Sequence, residues 1–336
     1  MANPILVEAT RGQIVESIHR GSVCVVDADG AEMLSLGTVD KPVFPRSAMK
    51  LIQALPLVES GAADAFGFGN RELSLACASH SSEPGHVELA ETMLDVAGFS
   101  ASDLECGAHW PLIGDAGQAA KIKLAQSGRL PSRLHNNCSG KHAGFLCCAA
   151  HSGMKTSGYT SLNHDLQQEV LATMQNITGE MIGHSECGVD GCSAPTFAAT
   201  LRGLAQGFAK LATGTGLSPI RAKSAKALLD ACMHEPWYMA GTERFCTKVM
   251  ELANGRVFAK VGAEGVYTAA IPEMGLGIAL KADDGADRAS EMMLAAVLVK
   301  LLGQDSQLGE ALRSFAIRPI RDWNNQQVGE LRAIVL

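Results

Sequence analysis

The period of the hydrophobic residues changes twice along the chain, and this change restricts the possible folds more than any other feature. Before residue 40, short alternating or β-branched runs are separated by turn residues such as Gly12 and Gly21, which is typical of an antiparallel meander. From Ser47 the period becomes helical, and strand-like runs return after residue 255. This order predicts an α/β fold of the α+β type, with helices packed on an antiparallel sheet.

The boundaries of these elements follow from the same patterns and from the turn residues. Early strands are predicted at residues 5–8, 14–18, 22–27 and 33–36, and late strands at residues 256–261, 265–271 and 275–281. Helices are predicted at residues 47–61, 85–97, 118–126, 140–151, 164–177, 197–212, 219–234 and 286–302. Because no linker interrupts the 336 residues, we expect a single unit over residues 1–336, with two lobes as an alternative.

Charge and hydropathy argue against several classes of protein. The formal net charge is −7 and the basic residues are dispersed, whereas a nucleic-acid partner needs a concentrated basic face. The most apolar stretch, residues 292–299, ends at Lys300, and a membrane span needs about 20 such residues. The first residues lack the basic flank of an export signal. We therefore expect a cytoplasmic protein that binds neither nucleic acid nor membrane.

The ten cysteines are irregularly spaced and form no recognisable disulfide framework, so reduced thiols are expected. They leave open a non-catalytic metal-binding or thiol redox protein, although the Cys-x-x-Cys motif of redox sites is absent. Also absent are the phosphate-binding Gly-rich loop, the dinucleotide fingerprint and the Gly-x-Ser-x-Gly elbow. Nucleotide-dependent chemistry and the α/β-hydrolase type are therefore disfavoured.

A Ser-x-x-Lys motif, Ser47 to Lys50, lies at the start of a predicted helix. Residues three apart on a helix share a face, and the positive helix end together with Arg46 disfavours the ammonium form of Lys50. A neutral lysine can take the hydroxyl proton of Ser47 and make it a nucleophile. The same motif opens the signature of penicilloyl serine transferases. Taken alone, it also fits an N-cap serine followed by a solvated lysine.

Two further segments complete a possible serine–lysine site. Lys260 precedes Gly262 at the end of a predicted late strand, where the same superfamily carries a Lys-x-Gly motif facing the nucleophile. Ser79 lies in a hydroxyl-rich segment, residues 77–82, that follows a short apolar run. Ser79 and Lys260 could form a second serine–lysine pair, although a polar loop and an edge-strand lysine explain each segment separately.

The densest polar segment, residues 135–142, contains Cys138 and Lys141, which are again three residues apart. Further along, residues 183–192 add Cys192 and other possible ligands. From spacing alone, structural thiols are a more common explanation than a metal site. Asp190 lies in a Gly-rich turn, where a carboxylate either supports the turn or reaches a ligand's ammonium group.

Together these segments resemble the rhizobial-type (class 3) L-asparaginases, also called the asparaginase II family. The matching stretches are residues 44–50, 77–81, 135–142, 188–192 and 260–265. The resemblance implies a fold similar to serine β-lactamases and penicillin-binding proteins, and a homodimer. It also implies hydrolysis of L-asparagine to L-aspartate and ammonia.

The resemblance assigns roles to individual residues. It implies two catalytic couples, Ser47 with Lys50 and Ser79 with Lys260. It implies a zinc ion beside the substrate pocket. The zinc ligands would be Cys138, Lys141 and Cys192, and the substrate-contacting residues would be Arg46, Asn137, Asp190 and Glu264. A serine-dependent glutaminase and a β-lactam or peptide hydrolase on the same scaffold remain alternatives, because Ser-x-x-Lys does not distinguish them.

Overall fold

The computed structural model describes residues 2–334. One eight-stranded antiparallel sheet forms its framework, with β3 paired to β2 and the other strands in the order β6-β7-β8-β2-β1-β10-β9. These strands are β1 Ile5–Arg11, β2 Ile14–Asp27, β3 Glu32–Leu36, β6 Phe258–Gly262, β7 Val266–Ile271, β8 Leu276–Ala282, β9 Ile317–Arg321 and β10 Gln327–Ala333. A separate hairpin pairs β4, Cys187–Val189, with β5, Pro195–Phe197. The predicted class, helices packed on an antiparallel sheet, is confirmed.

Thirteen α-helices accompany the sheet in the described part of the chain. They are α1 Lys50–Glu59, α2 Ala62–Ala65, α3 Asn70–Ala76, α4 Pro84–Asp95, α5 Gly114–Gln126, α6 Ser139–His151, α7 Asp165–Thr178, α8 Leu201–Thr213, α9 Pro219–His234, α10 Pro236–Met239, α11 Phe245–Ala253, α12 Asp287–Leu302 and α13 Gln307–Ala316. No helix within residues 2–334 has the length and hydropathy needed to cross a membrane.

Helices α8 and α12 cover opposite faces of the sheet. On β8, Gly277 faces α8, because a Cβ atom there would lie 1.9 Å from the carbonyl oxygen of Ala205. Gly21 on β2 is paired with Ala282, and a Cβ atom on Gly21 would lie 3.0 Å from the Cε atom of Met293 in α12. Positions 277 and 282 of one strand point to opposite faces. The sheet is therefore buried between two helical layers.

Several predicted boundaries were wrong for local reasons. Gly21 does not separate two strands; it lies inside the long strand β2, where the absence of a side chain permits close packing. The helix predicted at residues 197–212 begins later, at Leu201, because Phe197 belongs to β5 and Thr200 caps the helix by accepting a hydrogen bond from the Gly203 amide. Strands β9 and β10 and helix α13 were not predicted.

The edge strand β6 approaches the start of α1 closely. A 3₁₀ turn, Arg46–Met49, precedes that helix and packs against β6. A Cβ atom on Gly262 would lie 2.2 Å from the carbonyl oxygen of Pro45, so only glycine permits this approach. In addition, the Thr268 hydroxyl of β7 donates to the carbonyl oxygen of Ala48 at 2.8 Å. The end of β6 is thereby fixed beside the 3₁₀ turn.

Candidate active site

Ser47 lies in the 3₁₀ turn with its polar groups available to a ligand. Its side chain is half-buried, and within residues 2–334 neither its hydroxyl nor its amide has a hydrogen-bond partner. The preceding Arg46 has a left-handed backbone with φ of 52°. Such a conformation costs a non-glycine residue about 1–2 kcal/mol and is concentrated at functional sites. The strained turn presents Ser47 at the start of α1.

Two lysines converge on Ser79. The Lys50 Nζ atom lies 3.0 Å and the Lys260 Nζ atom 2.9 Å from the Ser79 hydroxyl oxygen. Lys50 also donates to the carbonyl oxygen of Ala78. The predicted contact between Ser79 and Lys260 is present. The predicted contact between Ser47 and Lys50 is not formed in the described residues, because the Lys50 amine is turned towards Ser79.

Lys260 is completely buried on β6 and its amine has two acceptors. Besides Ser79, it donates to the carbonyl oxygen of Val261 at 2.9 Å. Burial and then the nearby Lys50 lower the pKa of Lys260 to about 7. Two acceptors match the two N–H bonds of a neutral amine. Near neutral pH this lysine is therefore able to accept a proton.

Contacts with two other segments of the chain hold the Ser79 loop. The Ser79 amide donates to the carbonyl oxygen of Met239 at 3.0 Å, and the His80 amide donates to that of Asn137 at 3.2 Å. The His80 ring lies 2.9 Å from the Ser139 hydroxyl through its Nε2 atom, and both side chains are fully buried. The Ser79 hydroxyl is therefore rigidly placed.

A cluster of thiols and amines adjoins Ser79. Cys138 immediately precedes α6, Lys141 lies on the first turn of that helix, and Cys192 follows the short strand β4. The Lys141 Nζ atom lies 3.1 Å from the Cys192 sulfur, and the Lys50 Nζ atom lies 3.1 Å from the Cys138 sulfur. The three predicted zinc ligands are therefore close together, and Lys50 links them to Ser79.

The charges of this cluster compensate one another. A hydrogen bond from Cys138 lowers the pKa of Cys192, and Lys141 lowers it further against the effect of burial. The same bond and burial raise the pKa of Cys138. Burial alone would lower the pKa of Lys141, but the neighbouring Cys192 and Cys138 raise it. These pKa shifts favour a thiolate on Cys192 beside a buried ammonium group on Lys141.

The donor set fits zinc by its chemistry. In residues 2–334, no three His, Cys, Asp or Glu side chains are grouped as metal ligands. Here, however, the third donor is the amine of Lys141, which lies 3.1 Å from a thiol. Zinc accepts nitrogen and sulfur donors, and binding would displace the protons of this cluster. Cys138, Lys141 and Cys192 could therefore hold the ion.

The predicted substrate-contacting residues lie at the mouth of the site. The Arg46 Nη2 atom lies 3.0 Å from an Asp190 carboxylate oxygen, and the Nε atom of Arg46 is buried without a hydrogen-bond partner among the described residues. The hydrogen bond from Arg46 lowers the pKa of Asp190 although burial opposes it. Arg46 and Glu264 both line a cavity of about 770 Å³. This cavity leads to the charged pair.

The remaining two substrate candidates are held by their neighbours. Glu264 has a left-handed backbone with φ of 62°, and its carbonyl oxygen accepts from the Lys281 amine at 2.8 Å. The side-chain oxygen of Asn137 lies 3.4 Å from the sulfur of Cys138. Asn137 therefore lies beside the thiol cluster, whereas Glu264 lies beside Arg46.

Sequence reasoning assigned no role to His142, a buried residue of the same site. Its Nδ1 atom lies 2.9 Å from the Tyr159 hydroxyl, and its Nε2 atom is buried without a hydrogen-bond partner in residues 2–334. Burial lowers the pKa of His142, so the ring is neutral. Adjacent residues on a helix do not share a face, so the position of His142 next to Lys141 did not predict that its side chain belongs to this site.

The two serines should differ in their contribution to stability. Ser79→Ala removes the shared acceptor of two buried amines and should lower the free energy of unfolding by about 1–3 kcal/mol. Ser47→Ala removes a hydroxyl without a partner and should change it by less than about 0.5 kcal/mol. Urea denaturation measures the free energy of unfolding of both variants, provided that the dependence of that free energy on urea concentration is unchanged. Equal costs for the two substitutions would contradict the contacts described.

The comparisons with known proteins agree with the expected family. A family model described as L-asparaginase II matches residues 7–333, which is nearly the whole chain. A search of curated proteins found no match.

Similar solved structures include a β-lactamase from Mycobacterium bovis, with 13% identity, a TM-score of 0.40 and coverage of 83% of this chain and 94% of that chain. Another is a Bacillus glutaminase, with 13% identity, a TM-score of 0.35 and coverage of 84% of this chain and 91% of that chain. This likeness is loose and bears on neither activity nor substrate. The family match over residues 7–333 is decisive, and the chain belongs to the L-asparaginase II family.

Proposed function

We propose that this protein is an L-asparaginase that hydrolyses L-asparagine to L-aspartate and ammonia through a serine nucleophile. The observation that carries the proposal is the convergence of Lys50 and Lys260 on Ser79. Ser47, whose hydroxyl has no partner among the described residues, lies in the turn that leads to Lys50. Family membership supports an amidohydrolase. Asparagine carries both an amide and the two α charges that Asp190 and Arg46 could pair with.

These charges suit the two ends of a free amino acid. The Arg46 guanidinium can pair with the α-carboxylate, and its buried Nε atom offers a donor that is now unused. Asp190 can accept from the α-ammonium group. Asn137 and Glu264 would contact the rest of the substrate. The side-chain amide of asparagine would then lie over the serines.

Ser47 is the hydroxyl that a substrate reaches most easily. Ser79 is only 4% exposed and is already bonded to both lysines, whereas Ser47 is half-buried without a partner in the described residues. Its spacing from Lys50 allows contact after rotation of the serine side chain. Catalytic hydrogen bonds are often loose in unliganded enzymes and tighten with substrate.

A proton relay would prepare Lys50 as the base. Once its O–H points at the lone pair of neutral Lys260, Ser79 gives Lys260 its hydroxyl proton and receives one from the Lys50 ammonium group, across the two observed contacts. Lys50 is then neutral and takes the proton of Ser47 as its oxygen attacks the amide carbon. The number of protons is unchanged, because one has moved from Lys50 to Lys260.

The backbone amide of Ser47 can stabilise the oxyanion, since it has no acceptor in the described residues. Protonation of the nitrogen by Lys50 releases ammonia and leaves an aspartyl ester on Ser47. Water then attacks the ester carbonyl, the relay accepts the water proton, and the Ser47 hydroxyl is restored.

We also propose that Cys138, Lys141 and Cys192 hold a zinc ion that orders the pocket. The 3.1 Å contact between Lys141 and Cys192, the hydrogen bond between Cys138 and Cys192, and the donor types support this assignment. Bound zinc would supply charge stabilisation and orientation near the substrate, because Ser47 already provides the nucleophile. Homodimer formation and a cytoplasmic location stay predictions.

Ammonia release from L-asparagine and L-glutamine should separate the related activities. We expect strong release from asparagine and weak release from glutamine, and a loss of at least about 1,000-fold in Ser47→Ala. Equal turnover of both amides would favour a glutaminase. Hydrolysis of nitrocefin without hydrolysis of either amide would favour a β-lactamase. Near-normal turnover by Ser47→Ala would rule out this nucleophile.

Zinc should raise the activity of chelator-treated protein if the ion orders the pocket. The measurement compares ammonia release from L-asparagine before chelation, after it, and after added zinc. Cys192→Ser should abolish the response, because it removes a thiolate ligand. The matched control is Cys187→Ser, which alters a half-buried thiol outside the cluster. A zinc response that survives in Cys192→Ser would contradict the site.

Activity should fall on the acidic side of a pKa of about 7, because Lys260 must be neutral to accept a proton. Below that pH the rate should fall about tenfold per unit. Lys260→Arg, which stays charged, should lose at least about 100-fold at every pH. The control is Lys155→Arg at an exposed position.

Neighbouring charged groups also change the pKa of Lys260, and the same pH–activity profiles measure their effect. The positive charges of Lys50 and Arg244 lower its pKa. Arg244→Met should therefore move the acid limb towards higher pH. An acid limb that persists unchanged in Lys260→Arg would contradict the assignment.

A further inference from the structure

A second cavity, of about 410 Å³, lies where the start of α11, the start of α12 and the end of α13 meet. It has no lining residue in common with the cavity beside Arg46. Six charged residues line it, three of each sign: Arg244, Lys248, Arg318, Glu243, Asp287 and Glu291. Apolar walls come from Ile113, Phe245 and Phe315.

Arg244 is half-buried, and its side chain makes no hydrogen bond within residues 2–334. Its Nη1 atom is buried and makes no hydrogen bond, and no carboxylate in residues 2–334 forms an ion pair with it. The Nε atom of Arg318 is also buried without a partner. Buried hydrogen-bond donors are nearly always satisfied in folded proteins. Two such donors in one cavity indicate a missing acceptor.

The other charges of the cavity are mostly neutralised in place. Lys248 forms an ion pair with Glu243, and Arg318 forms one with Glu291 at 3.3 Å. Arg244 and Asp287 remain, with opposite charges and no ion pair between them or to any described residue. They are complementary to a ligand that carries both a carboxylate and an ammonium group.

We propose that this cavity is a second binding site for an α-amino acid with an apolar side chain. The ligand carboxylate would pair with Arg244 and the Nε atom of Arg318, and its ammonium group with Asp287. Its side chain would contact Phe245 and Phe315, whose rings lie 5.5 Å apart. Binding in this cavity requires neither a metal ion nor a conformational change at Ser47 or Ser79.

Binding of the amino acid in this cavity should change the pKa of Lys260. Arg244 contributes to the low pKa of Lys260, so a carboxylate that neutralises Arg244 should raise that pKa. The acid limb of the activity profile would then move towards higher pH. This consequence rests on the proposed function, whereas binding itself does not.

Isothermal titration of the full chain with L-leucine tests the binding directly. We expect one site, and at least about 30-fold weaker binding in Arg244→Met, because the carboxylate loses its partner. Lys248→Met is the matched control, since it removes a cavity cation that is already paired, and should bind normally. Arg46→Met should also bind normally. Absence of L-leucine binding, or its loss in Arg46→Met rather than Arg244→Met, would overturn the proposal.

Asp287→Asn supplies a variant that should fold, because Asp287 is exposed at the helix start. It should weaken L-leucine but leave 4-methylpentanoate, which lacks the ammonium group, unaffected. Equal weakening of both ligands would contradict the role of Asp287. If the protein binds L-leucine but releases no ammonia from asparagine, the proposed function fails while the second site stands.

Discussion

The sharing of one hydroxyl by two buried amines is the contact on which the rest of the site depends. Lys50 and Lys260 come from different parts of the chain, yet both reach Ser79 within 3.0 Å. This requires β6 to lie against the 3₁₀ turn, and the turn tolerates that approach only because residue 262 is glycine. The central helix α1 and the edge of the sheet are thereby joined through a buried polar contact.

Burial of three lysines in a small volume needs compensation nearby. Lys50, Lys141 and Lys260 are at most 3% exposed. The Cys192 thiol, whose pKa is lowered, offers a negative charge beside Lys141, while Lys260 avoids the cost by a low pKa. The thiol cluster therefore stabilises the site electrostatically as well as offering metal donors.

The sequence predicted which segments meet more reliably than which atoms touch. The order of the Ser-x-x-Lys helix, the hydroxyl-rich loop and the Lys-x-Gly strand was enough to bring Ser79 and Lys260 together. Helical spacing places Ser47 and Lys50 on one face, but it does not predict the side-chain rotamer that turns the Lys50 amine towards Ser79. Strand β9 was missed because it is short, half exposed and interrupted by Pro319, and the unpaired Arg244 depends on contacts that no pattern encodes.

Identification of the acylated serine tests the central claim most directly. The protein is mixed with L-asparagine, quenched in acid within one turnover, and digested for mass spectrometry. An aspartyl ester on the peptide that contains Ser47, and none on the peptide that contains Ser79, is the predicted result. An ester on Ser79, or rapid ammonia release without any ester, would contradict the proposed relay.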